Sequence, residues 1–298
     1  MSEQLWGGET TKAIDNFPVS GEAIPTPVIH WLGLIKANAA RTNARLGLLD
    51  DALAEAIATA GDAIGAGEHD DQFPVDVFQT GSGTSSNMNA NEVIATLAGD
   101  EVHRNDHVNM GQSSNDVFPS AVHLAALDQV TNDLLPAMDA LASALEAKAS
   151  EFAGVVKAGR THLMDAVPVT LGQEFSGYAS QVRLGIDRVT GTLGRVGQIP
   201  LGGTATGTGL NTHPDFAAGV RELLAEQSGL AISAPDDRFE AQANRDSLVE
   251  LSGALKVYAI SLNKIANDLA LMGSGPRAGI AELRLPELQK GSSIMPGK

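Results

Sequence analysis

Large apolar residues recur three and four apart over long stretches of this chain. Between Thr131 and Phe152 they are Leu134, Leu135, Met138, Leu141, Leu145 and Phe152, a set that shares one helix face, with Thr131 or Asn132 placed to cap its start. Phe175, Tyr178, Val182, Ile186, Val189, Leu193 and Val196 repeat the rule. Leu248, Leu251, Leu255, Tyr258, Leu262, Ile265, Leu269 and Met272 carry it through a segment about 37 Å long at the helical rise, with Val257 and Ile260 widening the apolar surface. An alanine-rich run covers residues 29–64. Stripes of this length must be buried against one another, so the pattern predicts an all-α fold built as a long-helix bundle. Period-two alternation between turn residues is scarce, which limits sheet to short ribbons in the loops. Between the helices lie segments rich in Gly, Ser, Thr and Asn: Thr80–Asn91, His103–Ser120, Gly202–Asn211 and Gly291–Lys298. Most irregular sequence falls before residue 115, which predicts a mainly helical N-terminal domain over 1–115 and the bundle over 116–298.

Composition narrows the class. The 298 residues suit two domains or one elongated helical body, and 43% hydrophobic content excludes wholesale disorder. With 36 acidic against 20 basic residues the net charge is −16, so a broad nucleic-acid surface is not expected. The absence of Cys removes disulfides, thiolate metal sites and a cysteine nucleophile, and fits a reducing cytoplasm. No apolar stretch approaches a membrane span, and Met1–Gln4 lacks a signal-peptide pattern; the expectation is a soluble cytoplasmic protein with no membrane partner.

The polar segments hold the candidate chemistry. Gln79–Glu92 gathers hydroxyls and amides around Gly81 and Gly83 and reads equally as a polar turn or a loop for a small carboxylate. It is not a dinucleotide fingerprint, because the third glycine would fall on Ser86. Gly111–Asp116 repeats the theme, and neither it nor Gly291–Met295 completes the G-x-S-x-G elbow of a serine hydrolase. His103 and His107 stand four apart, but position 104 is Arg where a zinc-protease helix needs Glu, so solvated histidines are favoured over a metal site. In Gly159–Asp165, His162 sits beside the Thr161 hydroxyl just before a long helix; taken alone it reads as a structural histidine before an acid–base group. Gly202–Gly209 lacks the G-K-[ST] of a phosphate loop. In Gly291–Lys298 two serines flanked by glycine precede a terminal cation, a set able to stabilise an oxyanion.

Taken in order, Thr80–Glu92, Gln112–Pro119, Gly159–Glu174, Gly203–Asn211, Asn263–Pro276 and the GSSxxPxK signature at Gly291–Lys298 closely resemble the class II fumarases of the fumarase/aspartase superfamily, over nearly the whole chain. Aspartases look similar but carry Gln where this chain has His162, and AGAGT where it has Thr80–Thr84; aspartate ammonia-lyase is the alternative within the superfamily. The resemblance implies reversible, cofactor-free hydration of fumarate to L-malate, with no metal, in a homotetramer whose active sites draw on three chains. It implies Ser292 as the base at C3 and His162, with Thr161, as the group handling the proton of the leaving hydroxyl. Ser82, Thr84, Ser113, Ser114, Asn115, Ser293 and Lys298 match carboxylate-binding positions, and His103, Asn105 and Asp106 match a second, peripheral anion site.

The departures are local. Arg104 stands where the family has Pro, and Glu9 and Lys12 where it has Gln and Arg. Family chains continue past the signature, so the expectation is a fragment, with an inactive helical assembly module as the reading from a different functional class.

Overall fold

The computed structural model describes residues 4–289 and Gly291. Its elements are α1 (Gly8–Asn16), α2 (Thr26–Arg45), α3 (Asp51–Gly65), α4 (Thr84–Ala98), α5 (Ser114–Gln129), α6 (Leu135–Glu151), β1 (Val156–Thr161), β2 (Met164–Thr170), α7 (Leu171–Val196), α8 (Phe216–Ser228), α9 (Arg238–Ala243) and α10 (Asp246–Met272). The described chain is mainly helical, as the spacing predicts, and its strands form a single antiparallel ribbon. No helix is long and apolar enough to cross a membrane among the described residues. The chain divides into two compact units, one running to Leu134 and resuming over Gly191–Leu251, the other formed by Leu135–Thr190 with the residues from Ser252 onward. The boundary expected near residue 115 falls inside the first unit.

In the first unit the alanine-rich run resolves into α2 and α3. Pro25 and Pro27 suit the first turn of α2, where a missing N–H is harmless, and Asp50 caps α3 by accepting from Ala52 N and Leu53 N. The two helices meet at glycines: a Cβ on Gly61 would lie 2.7 Å from the Gly33 carbonyl oxygen, and one on Gly33 would lie 2.6 Å from that of Gly61. Leu32, Ile35, Ile57 and Ile64 fill the seam, with Ile94, Leu124, Phe216 and Leu224 closing the core around it. Gly61→Ala is therefore expected to push the helices apart and to destabilise by about 1–3 kcal/mol, read as a lowered urea midpoint; an unchanged midpoint would remove the close approach as its cause.

In the second unit the predicted stripes are the buried ones. Met138 and Leu145 of α6, Phe175, Tyr178, Val182 and Val189 of α7, and Tyr258, Ile265 and Met272 of α10 are buried, the last three at strict sevenfold spacing. Phe152, Phe175 and Tyr178 stack edge-to-face at 5.3 and 5.6 Å. Arg183 on α7 reaches Asp139 and both carboxylate oxygens of Glu146 on α6. Val257 and Ile260 on the other side of α10 stay 44% and 60% exposed.

Two expectations change. Thr131 and Asn132 cap nothing: a π-helical turn over Val130–Leu134 carries α5 into α6, and Asn132 Nδ2 donates to Asp128 Oδ1 at 2.6 Å instead. The polar stretches around residues 84–91 and 114–120, expected as loops, are the first turns of α4 and α5, with Asn87, Asn89, Asn91 and Glu92 buried.

Candidate active site

In the first unit, the N-termini of α4 and α5 meet in a row of hydroxyls. Ser82 Oγ lies 2.8 Å from Thr84 Oγ1, which lies 3.0 Å from Ser114 Oγ. Each hydroxyl both donates and accepts, so the row can turn its protons toward an incoming anion. The preceding turn is made by Gly83 at φ 68°, and a Cβ there would strike the Phe118 ring at 2.2 Å, so only glycine lets α4 begin this close to α5. Gly83 brings no side-chain cap, and the positive end of the α4 dipole faces the same way as the hydroxyls at its first turn.

α5 starts with a capping box. Ser113 Oγ accepts from Asn115 N, and Asp116 Oδ1 accepts from Ser113 N at 2.9 Å. The other Asp116 oxygen accepts from Gly202 N at 2.9 Å and Thr204 N at 3.0 Å, pinning the glycine-rich loop against the helix start. Burial pushes the Asp116 carboxyl up to about 6 against the downward pull of these three amides. Asn115 Nδ2 donates to Ala205 O at 2.9 Å on that loop, and Gln242 Nε2 donates to Thr204 O at 2.7 Å. Ser82, Asn115, Ala205, Gln242 and Arg245 line a cavity of about 580 Å³, within the range of small-molecule sites. The five first-unit positions, Ser82, Thr84, Ser113, Ser114 and Asn115, are thus brought to one place, although Ser113 acts as the helix cap there.

Thr161 and His162 belong to the second unit. The residues between β1 and β2 are not a lead-in to a helix but a two-residue hairpin tip, with Thr161 paired to Met164 and with His162 at φ 52° and Leu163 at φ 62°. Such tips favour Asn-Gly; holding two L side chains left-handed stores strain of order 1–3 kcal/mol each, a feature that clusters at functional sites. Next to the tip, Arg160 grips Glu282 at 2.6 and 2.8 Å, and nearer the base the Lys157 ammonium reaches Glu174 at 2.8 Å and Glu282 at 2.7 Å. The His162 ring is exposed, with no hydrogen bond from a side chain among the described residues, beside a cavity of about 300 Å³ shared with Arg160, Glu174, Tyr178 and Asp268. Burial and the Asp268 carboxylate, which accepts from the Tyr178 hydroxyl at 3.0 Å, push that phenol well above its ordinary range, so it stays protonated.

Ser292, Ser293 and Lys298 lie outside the described residues. His103 caps a π-helical turn over Arg104–Val108, accepting from Asp106 N, and its Nδ1 lies 2.9 Å from Asp106 Oδ2, while Asn105 is exposed on the same turn. His107 Nδ1 is taken by the His103 N–H at 2.9 Å. Among the described residues no three His, Asp or Glu side chains converge as a metal site. The residue in the family's Pro position has a structural partner: Arg104 pairs with buried Glu92, and Glu92 also accepts from Gly7 N, Glu9 N, Thr10 N and Thr10 Oγ1 at 2.7–3.1 Å. Lys12 and Glu9, the other two departures, form an exposed ion pair at 2.8 Å.

Comparison with known proteins places these features in context. The family model described as Lyase matches residues 1–298. The class II fumarate hydratases of Corynebacterium efficiens and Mycobacterium tuberculosis are 57% and 56% identical over 301 residues, covering all of this chain and 64% of each relative. The chain thus spans just under two thirds of the length of these curated relatives. Among solved structures, a class II fumarase from Schistosoma mansoni superimposes with a TM-score of 0.97 at 38% identity, over all of this chain and 68% of that one. A fumarate lyase:delta crystallin from Brucella melitensis bound to cobalt gives 0.94 at 44% identity, over 99% and 67%.

Proposed function

This chain belongs to the lyase family, and on that premise we propose that the protein is a class II fumarate hydratase, interconverting fumarate and L-malate in the citric acid cycle. The observation that carries the reading is the row Ser82–Thr84–Ser114 at two helix N-termini, an arrangement that binds carboxylate without a net basic surface. An acidic protein needs such local donors to hold a dianion.

The chemistry follows from the residues. In the malate direction Ser292 removes the C3 proton, leaving an aci-carboxylate whose doubled negative charge the hydroxyls, Asn115, Ser293 and Lys298 stabilise. The C2 hydroxyl then departs with a proton supplied through His162, positioned beside Thr161, and leaves as water. A histidine can deliver that proton near neutral pH; the glutamine of aspartases cannot, which favours hydration over ammonia release. His103, Asn105 and Asp106 form the peripheral anion site. The protein works in the cytoplasm as a homotetramer with active sites shared between chains, and the exposed apolar residues of the second unit, Val156, Leu163, Met164, Val167, Leu184 and Ile260, support such assembly.

Ultraviolet detection of fumarate formed from L-malate, with L-aspartate in a parallel cell and chelator present, tests this. Fumarate from malate alone is the expected result. Fumarate from aspartate alone would assign the ammonia-lyase instead, and turnover of neither substrate would sink the enzyme reading.

A further inference from the structure

One charged side chain near the hydroxyl row has no place in the mechanism. Lys36, in the middle of α2, is wholly buried. Its Nζ lies 3.2 Å from Gln112 Oε1 and 3.4 Å from Asn109 Oδ1, both neutral acceptors, and no carboxylate lies within 4 Å of it among the described residues. A bare ammonium in that setting is costly to desolvate, and two weak amide contacts offset little of it.

What Lys36 touches leads directly to the substrate loop. Gln112 Nε2 donates to Val108 O and Met110 O, Asn109 Nδ2 donates to Gln112 O, and Asn87 Nδ2 on α4 donates to Asn109 Oδ1 at 3.2 Å. Residue 112 is followed at once by Ser113, Ser114 and Asn115. Two residues beyond Ser114, and four along the chain from the Gln112 that Lys36 reaches, sits Asp116, buried and fixed by three backbone amides, a carboxylate whose charge favours the ammonium form of Lys36. An anion bound at the Ser82–Thr84–Ser114 row shares the first turn of α5 with this like charge. The two acceptors that Lys36 reaches, Asn109 and Gln112, are neutral, and so is Asn87 of α4, which donates to Asn109.

We propose that Lys36 is a positioning residue whose buried ammonium is the counter-charge to Asp116, so that the start of α5 holds a dicarboxylate rather than repelling it. The inference rests on reading this site as a dicarboxylate site. Burial pulls the Lys36 ammonium down to about 7, so the charge is lost as pH rises through neutrality and dianion affinity weakens on the alkaline side.

The test compares wild type, Lys36→Met and Lys36→Met/Asp116→Asn for L-malate turnover and for calorimetric binding of succinate, an unreactive dicarboxylate, from pH 6.5 to 8.5. Lys36→Met should raise KM and the succinate Kd about tenfold, leave kcat within threefold, and abolish their alkaline rise; removing the Asp116 charge as well should recover most of the affinity. A purely structural lysine predicts a fall in kcat, no rescue, and a pH profile shaped like wild type. Should Lys36→Met fail to fold, succinate binding to His162→Asn, which lacks the imidazole, must still weaken on going from pH 6.5 to 8.5. Wild-type malate turnover with unchanged KM in Lys36→Met overturns this inference alone. Absent turnover with succinate binding that depends on Lys36 overturns the hydratase reading alone, and no succinate binding by wild type overturns both.

Discussion

Replacing His162 by asparagine is expected to lower kcat for malate dehydration by roughly 10²–10⁴-fold while leaving KM within a few-fold and the helical circular-dichroism signal unchanged. The size follows from the leaving group. Hydroxide departs from C2 only if it is protonated as the bond breaks, and an amide has no proton to give at neutral pH. Asparagine is the informative replacement because it tolerates the left-handed conformation that residue 162 adopts at φ 52°, so the hairpin tip keeps its shape and the loss reports chemistry. A kcat equal to wild type would remove His162 from the proton path; a collapse of the helical signal would show that the tip, and not the ring, had been lost.

Glu92→Ala is expected to give the largest structural effect. The Glu92 carboxylate, 3% exposed, accepts from Gly7 N, Glu9 N, Thr10 N and Thr10 Oγ1, and pairs with Arg104. Alanine leaves the amides of Gly7, Glu9 and Thr10 and the half-buried Arg104 guanidinium without this acceptor, a loss of about 3 kcal/mol when several hydrogen bonds to one buried carboxylate go together. The urea midpoint should fall, and trypsin should cut after Lys12, an exposed side chain on α1, much faster than in wild type. Wild-type cleavage and an unchanged midpoint would mean that α1 is held by its other contacts. Glu92→Gln should fall between the two, since an amide oxygen still accepts but neither balances Arg104 nor serves every donor.

The two outcomes mark what the sequence could disclose. Period is a property of neighbours three and four apart, so the stripes of α7 and α10 were legible, and Tyr178, Val182, Tyr258 and Ile265 are buried where spacing puts them. The junction at Val130–Leu134 went unread, although Pro136 two residues beyond it lacks an N–H and crowds the Asn132 carbonyl inside the turn, a mark of a disturbed helical ladder. At 84–92 polarity misled: Asn87, Asn89, Asn91 and Glu92 are buried on α4, and Asn87, Asn89 and Glu92 meet partners 17 to 85 residues away that periodicity does not register. The hydroxyls of the site were found because serines, threonines and asparagines cluster around glycine. Lys36 and Asp116 were missed as participants for the opposite reason. Lys36 sits among alanines, and the atoms it reaches are 73 and 76 residues away. For Asp116 a signal did exist, since an acidic residue three after Ser113 is the mark of a capping box, but its grip on Gly202 and Thr204 spans 86 and 88 residues.

The bonds from Glu92 to Gly7, Glu9 and Thr10 span 82 to 85 residues, and this sets an order of events at the ribosome. Residues 7–10 emerge well before their partner, and their anchor is made only when α4 and Arg104 have followed. At synthesis rates of roughly 5–20 residues per second that interval is on the order of 5–20 s, long compared with helix formation. Throughout it α1, nine residues long and too short to be stable alone in water, has no seat. The segment around α1 is therefore made more than 80 residues ahead of its anchor, and the nascent chain carries it unseated past any chaperone or protease waiting at the exit.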